Sequence, residues 1–462
     1  MNPYNHSIHL ERIGDLIMKK ILVLGAGLSA SSLIRYLLEN STKYNWEIRI
    51  VDRDIELVSK KINGHSNGVA LSFDALNPNE RMVEIKAADL VISMLPARFH
   101  IDVAKDCVAA KTNLITPSYI SPEIRALDTQ AKEAGIIIMN EIGVDPGIDH
   151  MSAMKIIHDI QKRDGKLLSF KSFCGGLIAP EYDNNPWNYK FTWNPRNVVL
   201  AGQGGASCFL RNGVHKYIPY NRLFERLERL SIDDFGDFVG YANRDSLSYR
   251  ATYGLDAIPT IFRGTLRRPG YCRAWNVFIE LGMTDDSYAM ENTADLTPRS
   301  FLNSFLPYDL SSTVEDKFKT FLRTDRMDLF ERFEWLGLFK NVPLVGLEKA
   351  SPAQVLQKIL EDKLYMEEGD KDMLVMIHEI IYELNGESRK ITSHMVNIGE
   401  DNTYTSMSNT VGIPTAICSK MILNGDLKQT GVTLPVQAEV YEPILEELES
   451  FDIRFIEKEE IL

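Results

Sequence analysis

Gly25-Ala26-Gly27-Leu28-Ser29-Ala30 closes the apolar run ILVLG and reads GxGxxA. Glycine at the first position permits a tight turn, and at the second it lets the backbone approach a pyrophosphate. A small residue at the sixth lets helix and strand pack closely. Phosphates then sit on the helix N-terminus, where unpaired N–H groups and the helix dipole favour negative charge. A second apolar run, IRIV (48–51), ends at Asp52 and Arg53. A carboxylate there hydrogen-bonds ribose hydroxyls and repels a 2′-phosphate, whereas an arginine accepts that phosphate. The pattern is that of a dinucleotide site for NADP or NAD, with Asp52 leaning towards NAD. VISMLP (91–96) places Ser93 to Pro96 at another strand tip, where open α/β sheets form their ligand crevice. An ordinary strand end explains that segment almost as well.

A second set of residues lies further along the chain. NEIGVDPGIDH (140–150) puts Asp145 before Pro146, a natural N-cap with proline at the first helical position. Gly143 and Gly147 bracket the pair and suggest close approach of a ligand, so cap and site are about even. Cys174 precedes Gly175 and Gly176, and a lone cysteine is usually a small core hydrophobe. Arg244 in NRDS (243–246) and the arginines of RGTLRR (263–268) are basic points in an acidic chain. Their planar forks suit carboxylates, and a polycarboxylate would want two or three of them converging; surface ion pairing is the default for any one. The nine histidines have no metal-ligand spacing, and His150 and His158 stand eight apart on one expected helix, so no metal is expected.

These groups need a scaffold, and the 462 residues suffice for two to four domains. Lys and Arg number 51 against 64 Asp and Glu, a net charge of −13, which argues against nucleic acid and anionic lipid as partners. Five scattered cysteines exclude a disulfide framework and a CxxC zinc site. No apolar run approaches the ~20 residues of a membrane span. Met1 to Ile17 is polar and lacks the features of a signal peptide, so Met18 is a candidate start and a cytoplasmic protein is expected. Short apolar strands at 21–25, 48–51, 68–73, 89–94, 113–115 and 135–139 alternate with helical segments, which predicts a doubly wound parallel sheet. Capping boxes at Ser312–Glu315 and Ser351–Gln354 open helices; strands follow at 373–380 and 390–398. A helix over 405–423, a helix over 439–449 and a strand at 453–456 close the chain.

NEIGVDPGIDH (140–150), CGGLIAPE with NPWNYKFTW (174–193), NRDS (243–246) and RGTLR (263–267) together resemble the saccharopine dehydrogenase family, in its glutamate-forming branch, the saccharopine reductases. The resemblance runs from about Lys19 to the C-terminus. It implies a Rossmann-type dinucleotide domain over 19–145 plus 405–462 after an N-terminal extension (1–18). An α+β substrate and dimerisation domain over 146–300 plus 370–404 and a small helical domain over 301–369 would complete the chain as a homodimer. It implies that saccharopine, NAD(P)+ and water give glutamate, 2-aminoadipate 6-semialdehyde and NAD(P)H in lysine metabolism. Cofactor contacts would fall on Gly25 to Ser29 (Gly25, Ala26, Gly27, Leu28, Ser29), Asp52, Arg53, Asp54, Asp74, Ala75, Leu95, Pro117, Ser118, Val144, Asp145, Pro146 and Asn194. Substrate contacts would fall on Ser118, Tyr119, Asp145, Arg244, Thr265, Leu266 and Arg267, with Tyr119, Asp145 and Cys174 at the chemistry. Two departures stand out. NADP-using members carry Arg without Asp where this chain has Asp52-Arg53, and Pro117 stands where the family usually has Thr. A homospermidine- or carboxynorspermidine-forming imine oxidoreductase is an alternative, although diamines would favour carboxylates over Arg244 and Arg267. A dinucleotide-sensing protein without catalysis is another.

Overall fold

The computed structural model describes residues 18–344 and 346–462, so the expected extension ahead of Met18 lies outside the described residues. The chain divides into two compact units, one formed by residues up to Asn140 with Thr415–Thr433, the other by Glu141–Pro414 with Leu434–Leu462. Among the described residues no helix is long and apolar enough to cross a membrane.

The first unit is built on a parallel sheet of seven strands. In chain order these are β1 (Lys19–Leu24), β2 (Trp46–Asp52), β3 (Gly68–Ser72), β4 (Leu90–Ser93), β5 (Asn113–Ile115), β6 (Ile137–Met139) and, returning late, β15 (Gly431–Thr433). Their order across the sheet is β15-β6-β5-β4-β1-β2-β3. β1 is apolar without alternation because both of its faces are covered: Ile21, Leu22, Val23 and Leu24 are all buried. Its register sets Ile21 against Ile48 on one side and Leu90 on the other, so strand order reverses at β1. That switch point is where a crevice opens at the carboxyl ends of the strands. Leu22, Val91, Leu114 and Ile138 share a core with Val103, Cys107 and Ile124 from the covering helices.

The second unit carries a nine-stranded mixed sheet. Its strands are β7 (Lys166–Ile178), β8 (Ser207–Arg211), β9 (Val214–Ile218), β10 (Glu228–Ile232), β11 (Gly236–Ala242), β12 (Thr260–Arg267), β13 (Asp372–Leu384), β14 (Glu387–Ile398) and β16 (Ile456–Ile461). The main path is β10-β11-β12-β7-β13-β14-β16, with the β8–β9 hairpin attached to β12. Only β7 and β12 pair in parallel along that path. The longest hairpin, β13–β14, turns at Asn385-Gly386, both with positive φ (53° and 80°), as a two-residue turn between twisted strands requires.

Several expected boundaries shift. Residues 301–369 do not form a helical domain of their own: Phe301, Phe318, Phe333 and Leu356 pack into one core with Phe173, Trp187, Trp275 and Phe278 of the sheet unit. Of residues 405–462, expected wholly in the dinucleotide domain, only part, including β15, joins the first unit. The last strand lies at 456–461 rather than 453–456 and pairs with β14. Its sequence IEKEEI is charged and exposed, as an edge strand can be. The capping box at Ser351–Gln354 forms with Pro352 in the first turn. That at Ser312 does not: Thr313 is the cap, accepting from Asp316 N at 3.1 Å.

Candidate active site

The dinucleotide turn sits at the switch point. Gly25 has φ +99°, and a Cβ there would lie 3.2 Å from Met94 O, so glycine is required where the tips of β1 and β4 meet. A Cβ on Gly27 would meet nothing within 4 Å, which leaves the space above the turn that a pyrophosphate needs. The chain then winds through Leu28–Ala30 into the helix Ser31–Tyr44, and Ala30 is buried against the sheet. Asp52 Oδ2 accepts from Ala26 N (2.9 Å), and Oδ1 from Asp54 N (3.2 Å). Lys61, which no sequence motif singles out, donates to Gly27 O and Ser31 Oγ, both at 2.7 Å. Burial lowers its ammonium to about 8 against the pull of Asp52. The donor set and the open turn fit a dinucleotide.

Other expected cofactor residues use their side chains locally. Asp54 caps the helix Ile55–Ile62 through Glu56 N and Leu57 N. Asp74 accepts from Leu76 N, and Ala75 is buried. Asn194, in the second unit, caps Pro195–Val199. Leu95 follows β4, and Pro117 and Ser118 follow β5, on the carboxyl edge of the sheet.

That edge also holds His100, which sequence reasoning weighed only for metal spacing. His100 Nδ1 lies 2.9 Å from Ser93 Oγ, and Nε2 lies 2.8 Å from Ser118 Oγ and 3.0 Å from Thr116 Oγ1. Burial lowers the ring to about 4, so it is neutral at neutral pH and orders three hydroxyls. Tyr119, two residues past Pro117, is 46% exposed. A histidine opening a helix just past the Ser93 strand tip was the available signal.

In the second unit the site is laid out along β12. Successive strand residues point to opposite faces. Phe262 and Leu266 enter the hydrophobic core, while Arg263, Thr265 and Arg267 share the other face. The side chain of Leu266 is fully buried on the core face, so any contact from this residue would be through its backbone. Arg263 Nη2 pairs with Asp145 Oδ1 (2.7 Å) and Asp149 Oδ2 (2.6 Å), over the ring of Tyr249 at 4.0 Å.

Asp145 is not the N-cap that its proline suggested. The helix starts at Ile148, after Gly147 (φ +146°), and Asp149 Oδ1 accepts from Gly147 N at 2.6 Å. A Cβ on Gly147 would lie 2.0 Å from Gly143 O, so the close approach of these two backbones requires glycine at Gly147. Val144 and Pro146 are buried beside Asp145. Behind them, His150 is held between Glu141 Oε2 and Tyr253 Oη, both at 2.7 Å.

Cys174 is buried, and burial followed by Asp145 and Asp149 drives its thiol well above the usual range despite Arg263 and Arg267. It has no thiolate to offer as a nucleophile. Thr265 Oγ1 donates to Asn243 Oδ1 (2.7 Å). Arg267 is 3% exposed and lies against Tyr189, Tyr241 and Tyr271, with Nη1 on Leu266 O (2.7 Å). It has no carboxylate partner among the described residues, and its Nε, Tyr189 Oη and Thr192 Oγ1 are buried without hydrogen bonds. Arg244 is exposed and also lacks an ion-pair partner there. Among the described residues no group of three or more His, Cys, Asp or Glu could hold a metal.

A dinucleotide turn at the switch point of a parallel sheet, carried on one chain with a mixed-sheet second unit, defines a nicotinamide-dependent oxidoreductase. Residues 21–139 match the saccharopine dehydrogenase NADP binding domain, and residues 143–453 the saccharopine dehydrogenase C-terminal domain. The chain belongs to the saccharopine dehydrogenase family. It is 32% identical over 437 residues to saccharopine dehydrogenase [NADP(+), L-glutamate-forming] of Saccharomyces cerevisiae, covering 93% of this chain and 96% of that one. It is 34% identical to the mitochondrial alpha-aminoadipic semialdehyde synthase of Bos taurus, covering 97% of this chain but only 48% of that relative. The solved saccharopine dehydrogenase (L-Glu forming) of S. cerevisiae superposes with a TM-score of 0.87 at 32% identity, covering 96% of this chain and all of that one (100%). A homospermidine synthase of Legionella pneumophila shares the fold alone, with a TM-score of 0.55 at 9% identity over 95% of this chain and 91% of that one.

Proposed function

We propose that this protein is an L-glutamate-forming saccharopine dehydrogenase of lysine metabolism. It interconverts saccharopine, NAD(P)+ and water with glutamate, 2-aminoadipate 6-semialdehyde, NAD(P)H and a proton. The observation that carries the substrate assignment is the pair of uncompensated guanidinium groups, Arg244 and Arg267, in a chain with a net charge of −13. Saccharopine brings three carboxylates; a diamine brings none and would leave both cations unanswered, which disfavours a homospermidine-type substrate. A sensing protein would need neither.

When bound, the nicotinamide accepts hydride from the carbon next to the secondary amine of saccharopine. In this reading the first unit holds the dinucleotide through the amides of Gly27 to Ser29 and the carboxylate of Asp52, which Ala26 N–H holds in place. Arg244, Thr265 and Arg267 take substrate carboxylates. Hydride loss leaves positive charge on the C=N group, and a fixed carboxylate stabilises such charge as it develops. Asp145 serves there. Its carboxylate is held in place by Arg263 at 2.7 Å. Tyr119, with its neighbour Ser118, is assigned to moving the amine proton. Water then adds to the C=N carbon, and the C–N bond breaks to release glutamate. We further propose a cytoplasmic homodimer.

Purified protein incubated with saccharopine and either dinucleotide should release glutamate in step with reduced-nicotinamide absorbance. Release of lysine and 2-oxoglutarate instead would overturn the branch.

A further inference from the structure

Resting on the reading of the first unit as a nicotinamide-dinucleotide site, we infer that Asp52 makes this enzyme select NAD over NADP, unlike the relatives whose names carry NADP(+). The argument is one of donors and acceptors. An ionised carboxylate only accepts hydrogen bonds; a ribose 2′-hydroxyl can donate one, and a 2′-phosphate dianion cannot. Asp52 stands at the end of β2, beside the turn that leaves space above Gly27. Ala26 N holds one of its oxygens at 2.9 Å and Asp54 N the other at 3.2 Å. Each oxygen keeps a lone pair for a ribose hydroxyl. The same two bonds fix the carboxylate, so it cannot turn away from a phosphate without giving up a backbone donor of the fingerprint itself.

Two cations stand nearby, and neither reverses this. Lys61 is committed to Gly27 O and Ser31 Oγ at 2.7 Å. It tempers the charge of Asp52 while its donors serve the turn. Arg53 is exposed, and its guanidinium has no partner among the described residues. It is the group that could receive a 2′-phosphate, but Asp52 precedes it and Asp54 follows. NADP is therefore bound only as far as Arg53 offsets an acceptor-to-acceptor contact.

The test is equilibrium binding of NADH and NADPH to the full chain, followed by nicotinamide fluorescence, alongside saccharopine oxidation with NAD+ and NADP+. NADH should bind at least about tenfold more tightly, and kcat/KM should follow the same order. In Asp52→Ser the ratio should move towards NADPH by about tenfold or more, and in Asp52→Ser with Arg53→Ala that gain should vanish. Wild-type protein that binds NADPH as tightly as NADH, or more so, overturns the inference even if either variant misfolds. In that event saccharopine turnover with NADP+ leaves the functional reading intact. If neither reduced dinucleotide binds, the inference and the reading of the site fall together.

Discussion

Arg263 and Arg267 lie on the same face of one strand, each 3% exposed, yet their surroundings differ in kind. Arg263 is answered from within the chain by Asp145 and Asp149 at 2.7 and 2.6 Å. Arg267 meets three tyrosines and a backbone carbonyl, and its Nε has no hydrogen-bond partner among the described residues. A buried guanidinium with its acids in place is part of the scaffold, because removing it strands the acids. A buried guanidinium without an acid can take one from a ligand, which is the role proposed for Arg267. The difference sets a clamp within the unit beside a proposed substrate contact.

The comparison breaks most visibly at Arg263. Arg263→Ala leaves the fully buried Asp149 without its cation. Burial raises the Asp149 carboxyl, but His150, Arg263 and Gly147 N–H outweigh it and hold it below the usual range. Breaking a buried pair by removing one partner costs about 3–5 kcal/mol. Denaturant unfolding of the variant should show a loss of that size, or no soluble protein at all. A variant as stable as wild type would mean that water or a rearranged side chain answers Asp149.

At Arg267 the opposite result is expected. Arg267→Met keeps apolar bulk among Tyr189, Tyr241 and Tyr271 and leaves no carboxylate stranded, so stability should change by less than about 1.5 kcal/mol. The loss should appear in kcat/KM for saccharopine, by about 2–4 kcal/mol or thirty- to a thousand-fold, if the fork takes a substrate carboxylate. Arg244→Ala should behave alike, and Arg244→Lys should recover only part, because a point charge cannot reproduce the fork. Steady-state kinetics beside unfolding curves separates the two arginines. Wild-type kcat/KM in Arg267→Met would make Arg267 scaffold as well.

Much of the fold and of the site is legible in the sequence, and the line between legible and hidden follows sequence distance. GxGxxA and Asp52 are readable because strand, turn and helix are contiguous and the chemistry belongs to the backbone. The Ser351 cap is local in the same way. The Arg263 clamp is hidden because its acids lie 118 and 114 residues away, and Asp145 next to Pro146 offers a plausible local role instead. His100 escapes notice because its hydroxyl partners come from two separate segments, Ser93 at the end of β4 and Thr116 and Ser118 just after β5. The direction of the Leu266 side chain is hidden when three consecutive strand residues are taken together, because alternation sends the middle one to the opposite face. The charged β16 has no apolar pattern by which to place it.

The comparison sharpens, by a smaller effect, along the pH axis. His378 is buried behind the Arg263 cluster, with Nε2 2.7 Å from Ser152 Oγ and its ring stacked on Phe170 and Phe455. Burial, helped by the positive charges of Arg263 and His150 and opposed by Asp149, lowers it from its ordinary 6.5 to about 4. Between those values the unfolded chain binds a proton that the folded chain refuses, so stability is full above pH 6.5 and falls as pH drops towards 4. The fall amounts to at most about 3 kcal/mol from this residue, and His100 adds a fall of the same sign in the first unit. Denaturant midpoints across that window should drop for wild type, and less steeply for His378→Gln. Arg267 should show nothing comparable. Burial raises the hydroxyls of Tyr189, Tyr241 and Tyr271, Tyr189 to about 12, so nothing in its cage titrates over the same window. A His378→Gln profile as steep as wild type would move the acid sensitivity away from the Arg263 side and weaken the distinction between a clamp that titrates and a cage that does not.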